Sequence, residues 1–259
     1  MSASPAELDR SDGDVPVLSV EEVTVRFGGV QAVTEANITA LAGQVTGLIG
    51  PNGAGKTTTF NVITGLEKPT SGTIRIDGRD VSRLPPYRRA RLGMARTFQR
   101  LEVFGSLTAR DNVLAAAEFR RSWSGDKSEP KEVVEEILDR VGLRSVADMR
   151  VDALPTGLAR LVELGRALAT RPRLLLLDEP GSGLDGTESE ALGDLLIELA
   201  QGGMAILLVE HDVDLVMRIC DRIHVLDFGK IICVGGTADV QADPAVQAAY
   251  LGADVEEVA

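Results

Sequence analysis

The sequence predicts an α/β fold: a mainly parallel sheet covered on both faces, with a helical subdomain inserted into it. Three observations carry this reading. Short apolar runs at 45–49 (VTGLI), 174–177 (LLLL) and 205–209 (AILLV) are separated by segments with helical spacing. Parallel strands buried on both faces read as such continuous apolar runs. The first run ends in a glycine-rich loop that leads into a helical segment. Between residues 84 and 169 the alternation gives way to apolar residues three and four apart, the period of one helix face.

The elements follow in order. Residues 1–16 are polar, acidic and rich in Pro and Ser, a composition that predicts a disordered tail. From Leu18 to Phe27, β-branched and polar residues mix as in a half-exposed strand. A strand over 45–49 is followed by a helix opening near Lys56. TSGTIRIDGRDV reads as a strand, an Asp-Gly turn and a continuation. LPPYRRARLGMA, LTARDNVLAAAEF and PKEVVEEILDRVGL are helix-like, with RRSWSGDKSEP as a surface loop between them. The inserted helical subdomain is placed at about 100–165. Strand 174–177, a helix near 187–200, strand 205–209 and a helix over 213–219 resume the alternation. A hairpin (strands 222–227 and 230–234, turn at Phe228 and Gly229) and a helix near 244–251 close a domain spanning 17–252. Residues 253–259 form a tail. No internal repeat is found.

A chain of 259 residues buries a substantial core. Its 27 basic and 39 acidic residues give −12, which argues against a surface built to coat nucleic acid. Two cysteines, Cys220 and Cys233, lie in apolar contexts without metal-ligand spacing, and read as buried small hydrophobes. The first residues have no apolar core and are not read as a signal peptide. No apolar run approaches the ~20 residues of a membrane span.

Gly50-Pro51-Asn52-Gly53-Ala54-Gly55-Lys56-Thr57 fits the G-x-x-x-x-G-K-[ST] phosphate loop, with Thr58 beside it. Glycines let successive backbone N–H groups turn inward around phosphates, and the helix start adds its positive dipole end. Lys56 supplies charge to the β- and γ-phosphates of ATP, and the Thr57 hydroxyl suits Mg²⁺. The second half of the site is the leucine run ending in Asp178-Glu179-Pro180. A buried strand there delivers two carboxylates at its C-terminal end, where ligands sit in open α/β sheets. Asp178 suits coordination of Mg²⁺, and Glu179 suits orienting and deprotonating the attacking water.

With these motifs on one chain, residues 17–252 resemble the ABC ATPase family. The resemblance implies a P-loop ABC ATPase core with a mainly parallel sheet, an N-terminal antiparallel β-subdomain and an inserted α-helical subdomain. It places Gln99, in ARTFQR, at the Q-loop glutamine that senses Mg²⁺ and the membrane subunit. Asp185, in GSGLDG, falls at the D-loop aspartate that communicates between two ATP sites. His211, in LLVEHD, falls at the switch histidine that contacts the γ-phosphate. Phe27, in VRFGGV, sits where an aromatic ring stacks on adenine. His224 matches no family position and is read as structural.

ARTFQRLEVFGSLTARDNVLAA, VEHDVDLVMRICDRIHVLDFGK and AVQAAYLG resemble the ATPases of branched-chain amino acid importers. The implied partners are membrane permease subunits, a second ATP-binding subunit and a substrate-binding protein, with this chain peripheral on the cytoplasmic side of the membrane. Export of a lipid or lipopolysaccharide is the alternative use of the same chemistry. A non-transport ABC ATPase is disfavoured by the single domain, the missing coiled-coil heptads and the acidity. A small-molecule kinase does not account for Gln99, Asp185 and His211 together.

One segment departs from the family. Where its signature reads Leu-Ser-Gly-Gly-Gln, this chain has Leu154-Pro155-Thr156-Gly157-Leu158. Pro155 replaces the serine hydroxyl and brings no N–H donor, while Thr156 offers a substitute hydroxyl from another angle. A weak donated signature beside intact Lys56, Asp178, Glu179 and His211 favours a heterodimer over a homodimer. By resemblance, residues 100–104 face the permease. Leu101, Val103 and Phe104 are then either exposed for it or packed within the helical subdomain. Arg83, Arg88, Arg89, Arg91, Arg96 and Arg100 read as a solvated basic face or as a contact for lipid headgroups or acidic partner residues. No role is assigned to Trp123.

Overall fold

The computed structural model describes residues 15–256, with residues 251–256 described by backbone alone. Of the expected tails, residues 1–14 and 257–259 lie outside the described residues.

Strands β1 (Leu18–Phe27), β2 (Val30–Ala40), β4 (Ser71–Ile76) and β5 (Arg79–Asp80) form an antiparallel sheet in the order β2-β1-β4-β5. A second sheet holds β3 (Val45–Ile49), β6 (Met94–Arg96), β7 (Leu174–Asp178), β8 (Ala205–Val209), β9 (Arg222–Asp227) and β10 (Lys230–Gly235), ordered β10-β9-β3-β8-β7-β6. All its pairings are parallel except β9 with β10. The four-leucine run shows why this sheet is continuous in apolar residues. Leu174 and Leu176 enter a core shared with the antiparallel sheet, while Leu175 and Leu177 enter a second core under the helices. Alternate residues of a strand point to opposite faces, and each leucine fully buried contributes roughly 1.5–3 kcal/mol.

Helix α1 (Lys56–Thr64) follows β3, and α2 (Pro86–Ala90) precedes β6. Helices α3 (Ala109–Ser124), α4 (Pro130–Arg140) and α5 (Thr156–Ala169) make the inserted helical region. Helices α6 (Gly186–Gln201), α7 (Val213–Ile219), α8 (Thr237–Ala242) and α9 (Pro244–Glu256) complete the chain.

Several boundaries differ from the sequence reading. The helix expected over 84–95 shrinks to α2, and Met94–Arg96 is the edge strand β6, in register with residues 174–176 of β7. A three-residue strand carries no readable period, and its partner lies far away in sequence. Strand β2 has no readable period in the sequence, because Glu35 with φ 47 and the irregular register against β1 break its alternation. Helix α3 continues to Ser124, so the expected 120–130 loop begins inside it and the chain turns at Gly125, φ 69. Helix α9 runs to Glu256, past the predicted boundary at 252.

The basic cluster is not one face. Arg89 is 1% exposed and donates to the carbonyls of Val62 and Ile63 at the end of α1. Burial pulls its pKa down to about 10. Arg83, Arg88, Arg91 and Arg100 are exposed. Cys220 is buried and Cys233 half-buried, and burial raises their thiol pKa values to about 12 and about 11. His224 is buried in β9; desolvation, with the Arg222 charge behind it, pushes its pKa down to about 3. Among the described residues no helix is long and apolar enough to cross a membrane.

Candidate functional site

The phosphate loop leaves the C-terminal end of β3 and closes into α1. Its glycines are sterically required: a Cβ at Gly50 would lie 1.9 Å from the Leu226 carbonyl oxygen, and one at Gly55 2.6 Å from that of Ala32. Both take φ values that disfavour side chains, 153 and 108. Gly229 clips the loop from the β9–β10 turn by donating to the Ala54 carbonyl at 2.9 Å. Asn52, Gly53 and Thr57 face solvent, Pro51 and Thr58 are half-buried, and Ala54 is buried. Lys56 is buried, and its Nζ donates to the carbonyls of Gly50 and Pro51 at 2.5 and 2.9 Å. Burial lowers its pKa, opposed by the charges of Glu179 and Asp178, so these three side chains form one electrostatic group.

Strand β7 delivers the two carboxylates. Asp178 is 3% exposed, and its Oδ2 accepts from Arg96 at 2.8 Å. Glu179 leaves the strand with φ 51, a left-handed conformation that costs a non-glycine residue free energy and occurs at functional sites. Its N–H donates to the Val209 carbonyl at 2.8 Å. Its carboxylate receives Gln99 Nε2 at 3.1 Å on both oxygens and lies 2.8 Å from His211 Nε2. Residues 99, 179 and 211, separated by 80 and 32 positions, thus converge on one group.

Each arm is braced by a residue the sequence reading passed over. Glu210 accepts from the amides of Gly181 at 2.6 Å and His211 at 2.9 Å, and its burial raises its pKa. Its place beside His211 was the available signal. Glu163 on α5 accepts from the amides of Phe98 and Glu102, both at 3.2 Å. Arg160 donates to the carbonyls of Phe98 and Gln99 at 2.8 and 2.5 Å. Arg96, read as part of a basic face, is instead a buried partner of Asp178.

The signature segment lies elsewhere. Leu154 and Leu158 are half-buried, Pro155 precedes α5, and Thr156 is exposed. Gly157 is buried where a Cβ would meet Leu184 Cδ2 at 2.9 Å and a Glu188 carboxylate oxygen at 3.0 Å. Asp185 caps α6: it accepts from the Glu188 amide at 2.8 Å, while Glu188 accepts from its amide at 3.0 Å. Among the described residues no hydrogen bond or ion pair joins residues 154–158 to the phosphate loop. Phe27, 47% exposed, ends β1 at the hairpin whose second strand sets the Ala32 carbonyl over Gly55.

A groove of about 820 Å³ opens between the core and the helical region, lined by Tyr87, Phe98, Phe104, Phe119, Trp123 and Arg166 among others. Leu101 and Val103 are half-buried against the helical core, whereas Phe104 stays 46% exposed with Arg166 stacked 4.5 Å from its ring centre. The segment after Gln99 therefore divides between the two readings.

A family model described as ABC transporter matches residues 33–182. A second, described as branched-chain amino acid ATP-binding cassette transporter, matches residues 230–256. The chain is 39% identical over 254 residues to the high-affinity branched-chain amino acid transport ATP-binding protein BraF of Pseudomonas aeruginosa, covering 92% of this chain and 98% of that protein. It is 33% identical to the lipopolysaccharide export system ATP-binding protein LptB of Haemophilus influenzae, covering 91% and 97%. Among solved structures, a nucleotide-free ATP-binding cassette from an ABC transporter superposes with TM-score 0.81 at 31% identity, covering 91% and 99%. A dimeric cassette bound to ADP and Pi superposes with TM-score 0.76 at 27% identity, covering 85% and 98%.

Proposed function

The chain belongs to the ABC transporter ATP-binding family, and on that premise we propose how its residues divide the work of hydrolysing ATP to drive transport. The observation that carries the proposal is the Glu179 carboxylate, held by Gln99 and His211 beside the Lys56 loop. Residues 50–58 bind the phosphates, with Lys56 supplying charge to the β- and γ-groups. Phe27 stacks on the base. Glu179 orients the attacking water and takes its proton, and His211 reaches the γ-phosphate.

The donors present fit a hard divalent cation. The exposed Thr57 hydroxyl, the second oxygen of Asp178 and the Gln99 side chain are oxygen donors of the kind Mg²⁺ takes. When bound there, Mg²⁺ supplies neutralisation of phosphate charge.

ATPases of this family work with membrane permease subunits and form dimers. We assign the permease to the groove beside Phe104, and place the chain peripherally on the cytoplasmic side of the membrane. Asp185 and residues 154–158 face the second ATP-binding subunit, which we take to be a different chain because Pro155 weakens the donated signature. A substrate-binding protein belongs to the same system.

The cargo we propose is branched-chain or other hydrophobic amino acids. Two likenesses support it: the match at residues 230–256 and the BraF relative covered almost end to end. The lower identity to LptB makes lipid export the weaker reading. Glu179→Gln tests the chemistry: phosphate release falls at least about 10²-fold while fluorescent ATP still binds. Wild-type turnover in that variant would remove Glu179 from its role.

A further inference from the structure

The fold places Arg96 at the end of the edge strand β6, where a cation would ordinarily reach solvent. It turns inward instead: its side chain is 8% exposed and that of Asp178 4%. Every nitrogen of its guanidinium is used. Nη2 donates to Asp178 Oδ2 at 2.8 Å, Nη1 to Asn61 Oδ1 at 2.8 Å, and Nε to the Thr97 carbonyl at 3.2 Å. The guanidinium carbon lies 4.7 Å from the Phe98 ring centre and 5.6 Å from that of Phe60. The Thr97 hydroxyl also accepts from the Asp178 amide, at 3.3 Å.

One planar group therefore ties together three parts of the site. Asn61 and Phe60 belong to α1, which the phosphate loop opens. Asp178 ends β7. Phe98 immediately precedes Gln99. A buried carboxylate partnered through one oxygen cannot rotate freely, so its other oxygen keeps a fixed direction. A guanidinium suits this duty because its fork and its stacking faces act together, and an ammonium offers neither.

We propose that Arg96 is a positioning residue for Mg²⁺: it fixes the Asp178 carboxylate for the cation and locks that orientation to α1 and to the Gln99 segment. The inference rests on the assignment of Asp178 to the cation in the proposed function. Partners of metal ligands commonly alter metal affinity about 10- to 100-fold when replaced.

The test is Mg²⁺ titration of trinitrophenyl-ATP binding by fluorescence, on the full chain, alongside binding in EDTA. Arg96→Gln raises the Mg²⁺ concentration for half-maximal enhancement about tenfold, and affinity in EDTA stays within about twofold. Arg96→Lys keeps the charge without the fork and restores less than half of the lost response. A residue that only stabilises the fold would lower the melting temperature and leave the Mg²⁺ midpoint unchanged, which overturns the proposal. If Arg96→Gln does not fold, Asn61→Ala removes only the α1 arm; a midpoint shifted the same way supports the proposal, and an unchanged one overturns it. Should the wild-type protein show no Mg²⁺ dependence, the assignment of Asp178 fails first, and the role of Arg96 with it.

Discussion

His211 Nε2 and Glu179 Oε1 lie 2.8 Å apart, although one side chain is 48% exposed and the other 15%. The contact joins the loop after β8 to the loop after β7, and Glu210 pins the base of both by accepting from the amides of His211 and Gly181. In His211→Ala, turnover falls about 10²-fold with nucleotide affinity retained, the size of effect expected when one preorganised polar contact to the reacting group is removed. Steady-state phosphate release and equilibrium nucleotide binding, measured on the same preparation, separate the two.

Asp185 has a local duty that its proposed role at the dimer interface does not exhaust. It closes a capping box with Glu188 at the start of α6. Asp185→Ala lowers unfolding stability by about 1 kcal/mol in urea, whereas Asp185→Asn, itself a good cap, stays within about 0.5 kcal/mol. Loss of ATPase activity in the stable Asn variant then reports on the charge, free of the cap.

Stability falls with acid partly through His224. Its folded pKa, about 3, lies below the 6.5 of an unperturbed histidine. Between those values the unfolded chain holds a proton that the folded chain does not, so unfolding gains as pH drops and stability rises with pH across the window. The slope from this one group reaches about 1.4 kcal/mol per pH unit. Urea midpoints taken from pH 6.5 to 4 give a flatter profile for His224→Gln; a profile parallel to wild type would show that His224 contributes nothing to it.

Self-association tests the signature segment. With Glu179→Gln blocking turnover, light scattering in Mg-ATP shows the chain remaining at its 27.5 kDa monomer mass, because Pro155 withholds a donor from the opposing phosphate site. A shift to twice that mass identifies a homodimeric motor and refutes the heterodimer.

What was legible in the sequence has a common character. Strands β7 and β8 announce themselves because burial on both faces demands unbroken apolar runs, β3 by a run interrupted only at Thr46 and Gly47, and the phosphate loop because its chemistry needs glycines at set positions, 50, 53 and 55, before Lys56. Helix α3 was legible by its period but not by its end, which Gly125 decides. Gln99, Asp185 and His211 are legible only through the family resemblance, since each is one residue with no pattern of its own.

The sequence by itself thus determined the α/β class, the phosphate loop, and the carboxylate pair at 178–179, all written in neighbouring residues. Tertiary structure alone decided which distant groups hold those carboxylates. It took Arg96 from an apparent basic surface into a buried pair with Asp178, and brought Gln99 and His211 onto Glu179. It also made Glu163 and Glu210 acceptors for backbone amides. The reason is physical: a charge is buried only where partners replace its water, and those partners come from strands and loops that meet only when the sheet assembles.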